Sequence, residues 1–438
     1  MSKKVLFLFF PIVLFFSCSK ETISPEIFEL TALQDAVVYE VNFKAYSPTR
    51  NLQAVIDRLD NLDSLEVNVI WLMPIYPEGQ VNAVGSPYAV ADYTEVNPDL
   101  GDLNKLTELV GAAHAHGMAV ILDWVANHTA WDNPWITEHP DWYTQDGSGN
   151  IISPPGTGWN DVADLNYSNN NMRLAMIDAM WYWITETGID GFRCDAADLV
   201  PFDFWQQAND SLRSRANKTL FMLAEGARPD HLTAGFDLNF GWSWYGDLKN
   251  VMNSNADVGS LPVASSTAPL HNRLVFTTNH DESAWDAAPP TLFGSQEAAL
   301  TAFALTLTSG AGMPLIYGTQ EVGRTGTVSF FNQSTTNWLS NPEILQAYQD
   351  LMRLYRIHPA LRRGNREWFD TGYHMILFTR SWLNDQLLVM INPRDVEIST
   401  VCPETLRGVW VDLLTGDQLV LQDAFSAAPY SYRIMIRN

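Results

Sequence analysis

The sequence predicts an α/β protein built on a closed (β/α)8 barrel, with a small inserted domain after strand 3 and a C-terminal antiparallel β-sandwich domain. Eight nearly continuously apolar runs alternate with segments of helical spacing, which is typical of parallel strands covered on both faces. After Gly364 the pattern changes to short alternating runs separated by turn residues, which indicates antiparallel strands.

The apolar runs give the predicted order of elements along the chain. Barrel strands are predicted at residues 37–43, 67–74, 119–125, 191–197, 220–226, 235–241, 273–282 and 313–318. Helices are predicted at residues 52–65, 102–116, 170–186, 202–216, 244–252, 298–309 and 341–357. The barrel therefore covers residues 37–363, the inserted domain about 129–165, and the β domain 364–438.

The first residues have the pattern of an export signal, and we do not expect them to form part of the folded domain. Lys3 and Lys4 precede an apolar run that is too short to span a membrane, so residues 1–17 are interpreted as a signal peptide. Cys18 follows directly, as at the lipidation site of a bacterial lipoprotein, and residues 18–36 would then be a tether. The alternative is an ordinary signal peptide with an incidental cysteine. We expect a cell-envelope protein that meets the membrane only through a lipid at Cys18.

Composition narrows the class of partner. The formal net charge is −24 at pH 7, which argues against nucleic acid and suits a neutral substrate. The remaining cysteines, Cys194 and Cys402, are far apart in the sequence and are expected to form no disulfide. Cys194 alternates away from its neighbours Arg193 and Asp195, which indicates a core position.

The stretch GIDGFRCDAAD, residues 188–198, carries the first chemical signal. Arg193 and Asp195 are two residues apart on a predicted strand, so both project to the same face. A guanidinium beside an aspartate lowers its pKa, and we therefore expect Asp195 to be ionised. Taken alone, such a pair would more often be a structural ion pair.

Other polar residues collect at the C-terminal ends of the predicted strands, where barrel enzymes keep their sites. They are Asp123, Asn127, His128, Glu225, His280 and Asp281. Glycoside hydrolysis needs one ionised and one protonated carboxyl group. Asp195 suits the first role, and Glu225, at the end of an apolar strand, suits the second because burial raises a carboxyl pKa. Asp281 could accept sugar hydroxyls, while His128 and His280 could donate to others.

Four short segments at these positions resemble the α-amylase family, glycoside hydrolase family 13. They read DWVANH (123–128), GFRCDAAD (191–198), AEG (224–226) and TNHD (278–281), and PYAVADY and MPLIYGTQEVG resemble two further family segments. The resemblance implies that Asp195 is the nucleophile, Glu225 the acid/base and Asp281 the transition-state stabiliser. Substrate-binding residues lining the same subsite would be Tyr88, Asp123, His128, Arg193 and His280. It also implies a retaining hydrolase of α-glucosidic, mainly α-1,4, bonds that needs no cofactor for its chemistry.

Departures from the family pattern keep alternatives open. Asp198 and Leu199 stand where many starch-cleaving members have Lys-His, which changes the acceptor side. The inserted domain has no dense acidic loop, so calcium would bind through Asn127 and backbone oxygens, or Asn127 would be a hydrogen-bonding strap. A cyclomaltodextrinase-like, neopullulanase-like or transglycosylating enzyme is one alternative. A non-catalytic glycan-binding lipoprotein is another, although such a protein would usually lack one of the three carboxylates.

Overall fold

The computed structural model describes residues 28–372 and 374–437, so the predicted signal peptide, Cys18 and the first part of the tether lie outside the described residues. Eight strands form a closed barrel in which each pairs in parallel with its neighbours. In chain order they are β1 Val38–Val41, β2 Val69–Leu72, β3 Ala119–Trp124, β4 Gly191–Cys194, β5 Phe221–Ala224, β6 Leu238–Phe240, β7 Arg273–Val275 and β8 Met313–Tyr317. The predicted barrel is confirmed.

Alternation along each strand divides the core into two layers. Trp71 and Ile121 face the barrel interior, whereas Ile70 and Val120 pack against the outer helices. These helices are Leu52–Ile56, Leu59–Ser64, Leu103–Ala115, Asn170–Thr187, Phe202–Arg215, Trp242–Asn253, Gln296–Thr308 and Pro342–Ile357. Shorter helices are Phe43–Tyr46, Trp135–Glu138, Asp230–Thr233, His280–Trp285, Pro289–Leu292 and Pro359–Arg363.

Glycine is required where β4 begins. Gly191 has φ +150°, and a Cβ there would come within 1.9 Å of the Phe221 carbonyl oxygen on β5. Only glycine permits this approach of the two backbones. It fixes β4 against β5, and these are the strands that lead to Asp195 and Glu225.

The structure corrects two predicted elements. The predicted strand at 273–282 ends at Val275, and His280 and Asp281 begin the helix His280–Trp285. The reason is local, since the Asn279 side chain caps this helix by accepting from the Glu282 backbone N–H at 2.9 Å. The single helix predicted at 52–65 is two helices, separated at Asp57 and Arg58.

The inserted segment and the C-terminal domain are both antiparallel. In the insertion, His128–Ala130 pairs with Val162–Asp164. After the barrel, six strands form one sheet in the order Asn365–Trp368, Ile376–Trp382, Asp385–Asn392, Ser431–Arg437, Gly408–Asp412 and Gln418–Leu421. A second sheet pairs Ile398–Val401 with Ala424–Ala427. The predicted antiparallel C-terminal domain is confirmed.

Two further expectations can be compared with the described residues. Cys194 and Cys402 are buried and neither forms a disulfide, as expected. Within residues 28–372 and 374–437, no helix combines the length and apolarity that a membrane span requires.

Candidate active site

A cleft of about 700 Å³ opens at the C-terminal ends of the barrel strands. Six of the predicted site residues line it: Tyr88, His128, Asp195, Glu225, His280 and Asp281. Asp123, Asn127 and Arg193 do not line the cleft. The predicted residues therefore meet at one mouth, but three of them lie behind its surface.

Arg193 is the residue that joins the carboxyl groups. Its Nη1 lies 2.7 Å from Asp123 Oδ1 and 2.8 Å from Asp195 Oδ1, and its Nη2 lies 3.1 Å from Glu225 Oε1. The Arg193 side chain is 0% exposed. Its planar guanidinium lies beneath the cleft surface and aligns three carboxyl groups at the ends of β3, β4 and β5, and a role of Arg193 in substrate binding stays a prediction.

The protonation of Asp195 also differs from the expectation. Burial raises the pKa of Asp195, with Arg193 acting in the opposite direction and Asp281 in the same direction as burial. The sequence predicted a lowered pKa, which is wrong, because Arg193 is shared among three carboxyl groups and cannot offset the burial of each one. The predicted contact between Arg193 and Asp195 is nevertheless present.

Glu225 has the environment of a general acid. Burial raises the pKa of Glu225, Arg193 opposes this shift, and Asp195 adds to it. Its Oε2 accepts a hydrogen bond from the Ala196 backbone N–H at 2.7 Å, which fixes the carboxyl group beside Asp195. The predicted direction of the pKa shift is confirmed.

The turn after Glu225 is held by Asp198. The Asp198 carboxylate accepts from the backbone N–H groups of Ala227, at 3.1 Å, and Arg228, at 3.2 Å. A Cβ at Gly226 would come within 2.5 Å of Asp198 Oδ1, so a larger residue there would displace the Asp198 carboxylate. Asp198 also lines the cleft, and its side chain is 42% exposed. The residue that departs from the common family pattern therefore anchors the acid/base segment.

Asp123 is fully buried behind the cleft wall. Besides Arg193, it accepts from the Trp71 indole N–H and from the Tyr88 hydroxyl, each at 3.1 Å. Burial raises the pKa of Asp123 to about 7, although Arg193 opposes this shift. Its side-chain contacts are to Arg193, Trp71 and Tyr88, and a role of Asp123 in substrate binding stays a prediction.

His280 connects the cleft to a residue that the sequence interpretation missed. Its Nε2 lies 2.7 Å from the Tyr88 hydroxyl and 3.4 Å from Asp281 Oδ2, and its Nδ1 lies 2.5 Å from Glu40 Oε1. Burial lowers the pKa of His280, but Asp281 and Glu40 raise it, with a net value of about 9. The available signal for Glu40 was a lone carboxylate inside the apolar run VVYEVNF.

His128 lies where the inserted segment begins, and its imidazole is buried. Burial lowers its pKa to about 4, with Asp161 acting in the opposite direction. Its Nδ1 lies 3.2 Å from the Asn127 side-chain nitrogen, which agrees with Asn127 as a hydrogen-bonding strap. Among residues 28–372 and 374–437, no three His, Cys, Asp or Glu side chains are arranged to share a metal ion.

Aromatic side chains form the remaining walls, and the sequence interpretation named none of them. They are Trp159, Trp242, Trp285, Phe330 and Phe331. The Phe330 ring stacks on Tyr88 with centroids 5.6 Å apart, and Trp285 is 66% exposed. Exposed aromatic faces can stack on sugar rings, but the only sequence signal was a 12% aromatic content, which a large core could also explain.

A family model and several known proteins are similar to this chain. The family model described as "Alpha amylase, catalytic domain" matches residues 33–149 and 157–231. The α-amylase MalA of Haloarcula japonica is 28% identical over 414 residues, which cover 88% of this chain and 59% of that protein. These matches show that the chain is similar to the α-amylase family.

Two further proteins resemble the chain over most of its length. The cyclomaltodextrinase of Geobacillus thermopakistaniensis is 25% identical, with 87% of this chain and 69% of that enzyme covered. An α-amylase structure from Lactobacillus plantarum superposes with a TM-score of 0.79 at 26% identity, covering 92% of this chain and 99% of that one. The family resemblance therefore includes the barrel, the insertion and the C-terminal domain.

Proposed function

We propose that this protein is a retaining glycoside hydrolase that cleaves α-glucosidic, mainly α-1,4, bonds in starch-like glucans or maltooligosaccharides. One observation carries the proposal: Asp195 and Glu225 contact the same guanidinium at the mouth of an α-amylase-like barrel, and Asp281 lines the same cleft. This arrangement brings together the two carboxyl groups that double displacement requires.

Burial raises the pKa of both carboxyl groups, so we take their roles from the family resemblance, with Asp195 as the nucleophile and Glu225 as the acid/base. Glu225, with its raised pKa, donates its proton to the glycosidic oxygen while an Asp195 carboxylate oxygen bonds to the anomeric carbon and the glycosidic bond breaks. Glu225 then removes a proton from water, whose oxygen displaces Asp195 and restores both carboxyl groups. We expect the two carboxyl groups to be roughly 5–5.5 Å apart, as in other retaining enzymes.

The residues around these carboxyl groups suit an uncharged sugar. Tyr88 presents an aromatic ring, and Asp281 offers oxygens that accept sugar hydroxyls. Trp242 and Trp285 provide further apolar faces along the cleft. We infer that Arg193 contributes indirectly, by spreading one positive charge beneath the carboxyl groups as charge develops at the sugar.

Hydrolysis of cyclic or short glucans, or transglycosylation, is the second candidate. Asp198 replaces the usual acceptor-side lysine, and one relative is named a cyclomaltodextrinase. Amylose, maltoheptaose, β-cyclodextrin and pullulan should be offered to the wild type and to Asp195→Asn, with products separated by chromatography. Release of maltooligosaccharides from amylose by the wild type alone supports the first proposal. A preference for β-cyclodextrin or longer transfer products supports the second, and equal rates in both proteins contradict the nucleophile assignment.

A non-catalytic glycan-binding lipoprotein is the candidate of another class. The presence of Asp195, Glu225 and Asp281 in one cleft argues against it. Binding of maltoheptaose by the wild type, measured by calorimetry, without any release of reducing sugar would favour it.

We further propose export and lipidation at Cys18, since the cysteine directly follows an apolar segment of signal-peptide length. Expression with radiolabelled palmitate should label the wild type in the membrane fraction, whereas Cys18→Ser should remain unlabelled. Label on both proteins would contradict the assignment of Cys18.

A structural calcium ion near Asn127 also stays a proposal. The residues present supply few donors for it, because the Asn127 amide nitrogen contacts His128 and a hard cation needs six or more oxygens. We therefore derive no catalytic step from calcium. A fall in melting temperature on treatment with a chelator, reversed by added Ca²⁺, would support the ion.

A further inference from the structure

Glu40 is a buried carboxyl group for which the proposed mechanism has no step. It is 0% exposed on β1, where it shares the interior face with Val38, while Tyr39 and Val41 face the outer layer. We propose that Glu40 is a positioning residue that holds His280 as an imidazolium, so that both ring N–H groups donate and the positive charge faces Asp281. Its catalytic consequence rests on the proposed hydrolase function.

The hydrogen-bond count around His280 supports the charged form. Asp123 accepts from Arg193 and Trp71, and its Oδ2 also accepts from the Tyr88 hydroxyl. Since Tyr88 has a single hydroxyl proton and uses it there, its oxygen accepts from His280 Nε2–H. On the other side of the ring, Nδ1 lies 2.5 Å from Glu40 Oε1, and with Glu40 ionised this nitrogen also donates. Two donating nitrogens are found only in the protonated ring.

The ring is also held in place by packing. The Trp71 indole meets the His280 ring edge-on with centroids 5.7 Å apart, and Tyr88 stacks against it at 5.6 Å. His280 therefore cannot turn away from Glu40 without displacing two aromatic rings. Glu40 itself does not line the cleft, so its influence on a substrate passes through His280.

The positive charge of the His280 ring affects the pKa of the carboxyl groups around it. Within the described residues, the site gathers five carboxyl groups and two cations: Glu40, Asp123, Asp195, Glu225, Asp281, Arg193 and His280. His280 lowers the pKa of both Asp195 and Asp281, against the larger effect of burial. Loss of the imidazolium proton would therefore shift the proposed nucleophile toward its unreactive protonated form.

The chain offers a matched control at Glu321. This carboxyl group is also 0% exposed, and it accepts from the hydroxyl of Tyr39, the neighbour of Glu40 on β1, at 2.6 Å. Because Tyr39 and Glu40 point to opposite faces of the strand, Glu321→Gln removes a buried carboxylate outside the barrel interior and away from the cleft. Glu40→Gln removes one of similar shape and burial beneath His280.

The experiment combines histidine NMR titration with pH–rate profiles of the wild type, Glu40→Gln and Glu321→Gln, with His280→Gln used to assign the resonance. In the wild type, His280 should titrate near 9. In Glu40→Gln its pKa should fall by about one unit or more, because an opposite charge in contact has been removed. The alkaline limb of kcat/KM should move by the same amount, so that kcat/KM at pH 8 falls about twofold for a shift of one unit and about tenfold for a shift of two. Glu321→Gln should change neither quantity.

A wild-type His280 that titrates near its ordinary pKa of about 6.5 would overturn the proposal, and this measurement does not depend on whether Glu40→Gln folds. An unchanged His280 titration in Glu40→Gln would also overturn it. If both glutamine variants lost activity only in proportion to their melting temperatures, Glu40 would be a structural ion-pair partner. If the wild type hydrolysed no glucan, the proposed function would fail while the NMR titration still tested the Glu40–His280 pair.

Discussion

Two aspartates at opposite ends of β4 have contrasting surroundings. Asp190, just before the strand, is 1% exposed and has a separate partner for each carboxylate oxygen. Lys218 Nζ lies 2.7 Å from its Oδ1, while His114 Nε2 and the Val120 backbone N–H lie 2.8 Å from its Oδ2. Asp195, just after the strand, shares Arg193 with Asp123 and Glu225.

The contrast separates a carboxylate that supports the fold from one that is available for chemistry. Removing one partner of a buried, hydrogen-bonded ion pair is strongly destabilising, because the remaining charge is left uncompensated. Carboxyl groups that share one cation are held at raised pKa values, which is the condition for acid–base chemistry. In barrel enzymes the C-terminal face carries the site and the opposite face supports stability, and the two ends of β4 follow that division.

The largest expected effect comes from replacing Asp195, the aspartate that shares Arg193 with two other carboxyl groups. Asp195→Asn should reduce the rate of glucan hydrolysis by about 10³-fold or more, because amide oxygen is a poor nucleophile. Its melting temperature should equal or exceed that of the wild type, since one carboxyl group leaves a crowded site. Initial rates and thermal unfolding check this, and activity within tenfold of the wild type would remove the distinction between the two aspartates.

The opposite result is expected for Asp190→Asn. This change leaves Lys218 and His114 without their carboxylate and should lower the free energy of unfolding by about 3 kcal/mol. Turnover per folded molecule should stay within about twofold of the wild type. Urea unfolding with active-site titration measures both quantities. A variant of full stability but low turnover would show that Asp190 belongs to the catalytic site.

Asp123 also contacts Arg193, and Asp123→Asn should change how the free energy of unfolding depends on pH. The folded-state pKa of Asp123 is raised to about 7, so its contribution to stability is present at acid pH and is lost as the pH rises through that value. The variant lacks this titration. Its free energy of unfolding relative to the wild type should therefore increase by roughly 2 kcal/mol between pH 5 and pH 8. A constant difference across this range would contradict a raised pKa at Asp123.

The smallest effect is expected from replacing Asp198, the partly exposed aspartate that lines the cleft. Asp198→Ala removes the acceptor of two backbone N–H groups after Glu225 and should lower kcat/KM about tenfold, with little change in melting temperature. Asp198→Asn keeps one acceptor oxygen, so its kcat/KM should lie between those of the wild type and Asp198→Ala. Equal kinetics for Asp198→Ala and the wild type would show that the turn needs no anchor.

The sequence was informative where periodicity and residue chemistry are local. Alternation in GIDGFRCDAAD predicts that Arg193 and Asp195 share a face, and an apolar strand predicts the raised pKa of Glu225. It could not show that Arg193 serves three carboxyl groups, because that depends on how β3, β4 and β5 lie together in space. Glu40 was missed for the same reason, since its partner His280 is 240 residues away.

Chemical trapping tests the central claim, that Asp195 is a nucleophile and Glu225 its acid/base, most directly. Fluoride leaves a sugar without acid assistance, so Glu225→Gln incubated with α-maltosyl fluoride should form the glycosyl-enzyme but hydrolyse it slowly. Mass spectrometry of the digested protein should find one maltosyl group on the peptide that contains Asp195. A maltosyl group on another carboxylate, or hydrolysis of the fluoride without any adduct and with inverted configuration, would contradict the account.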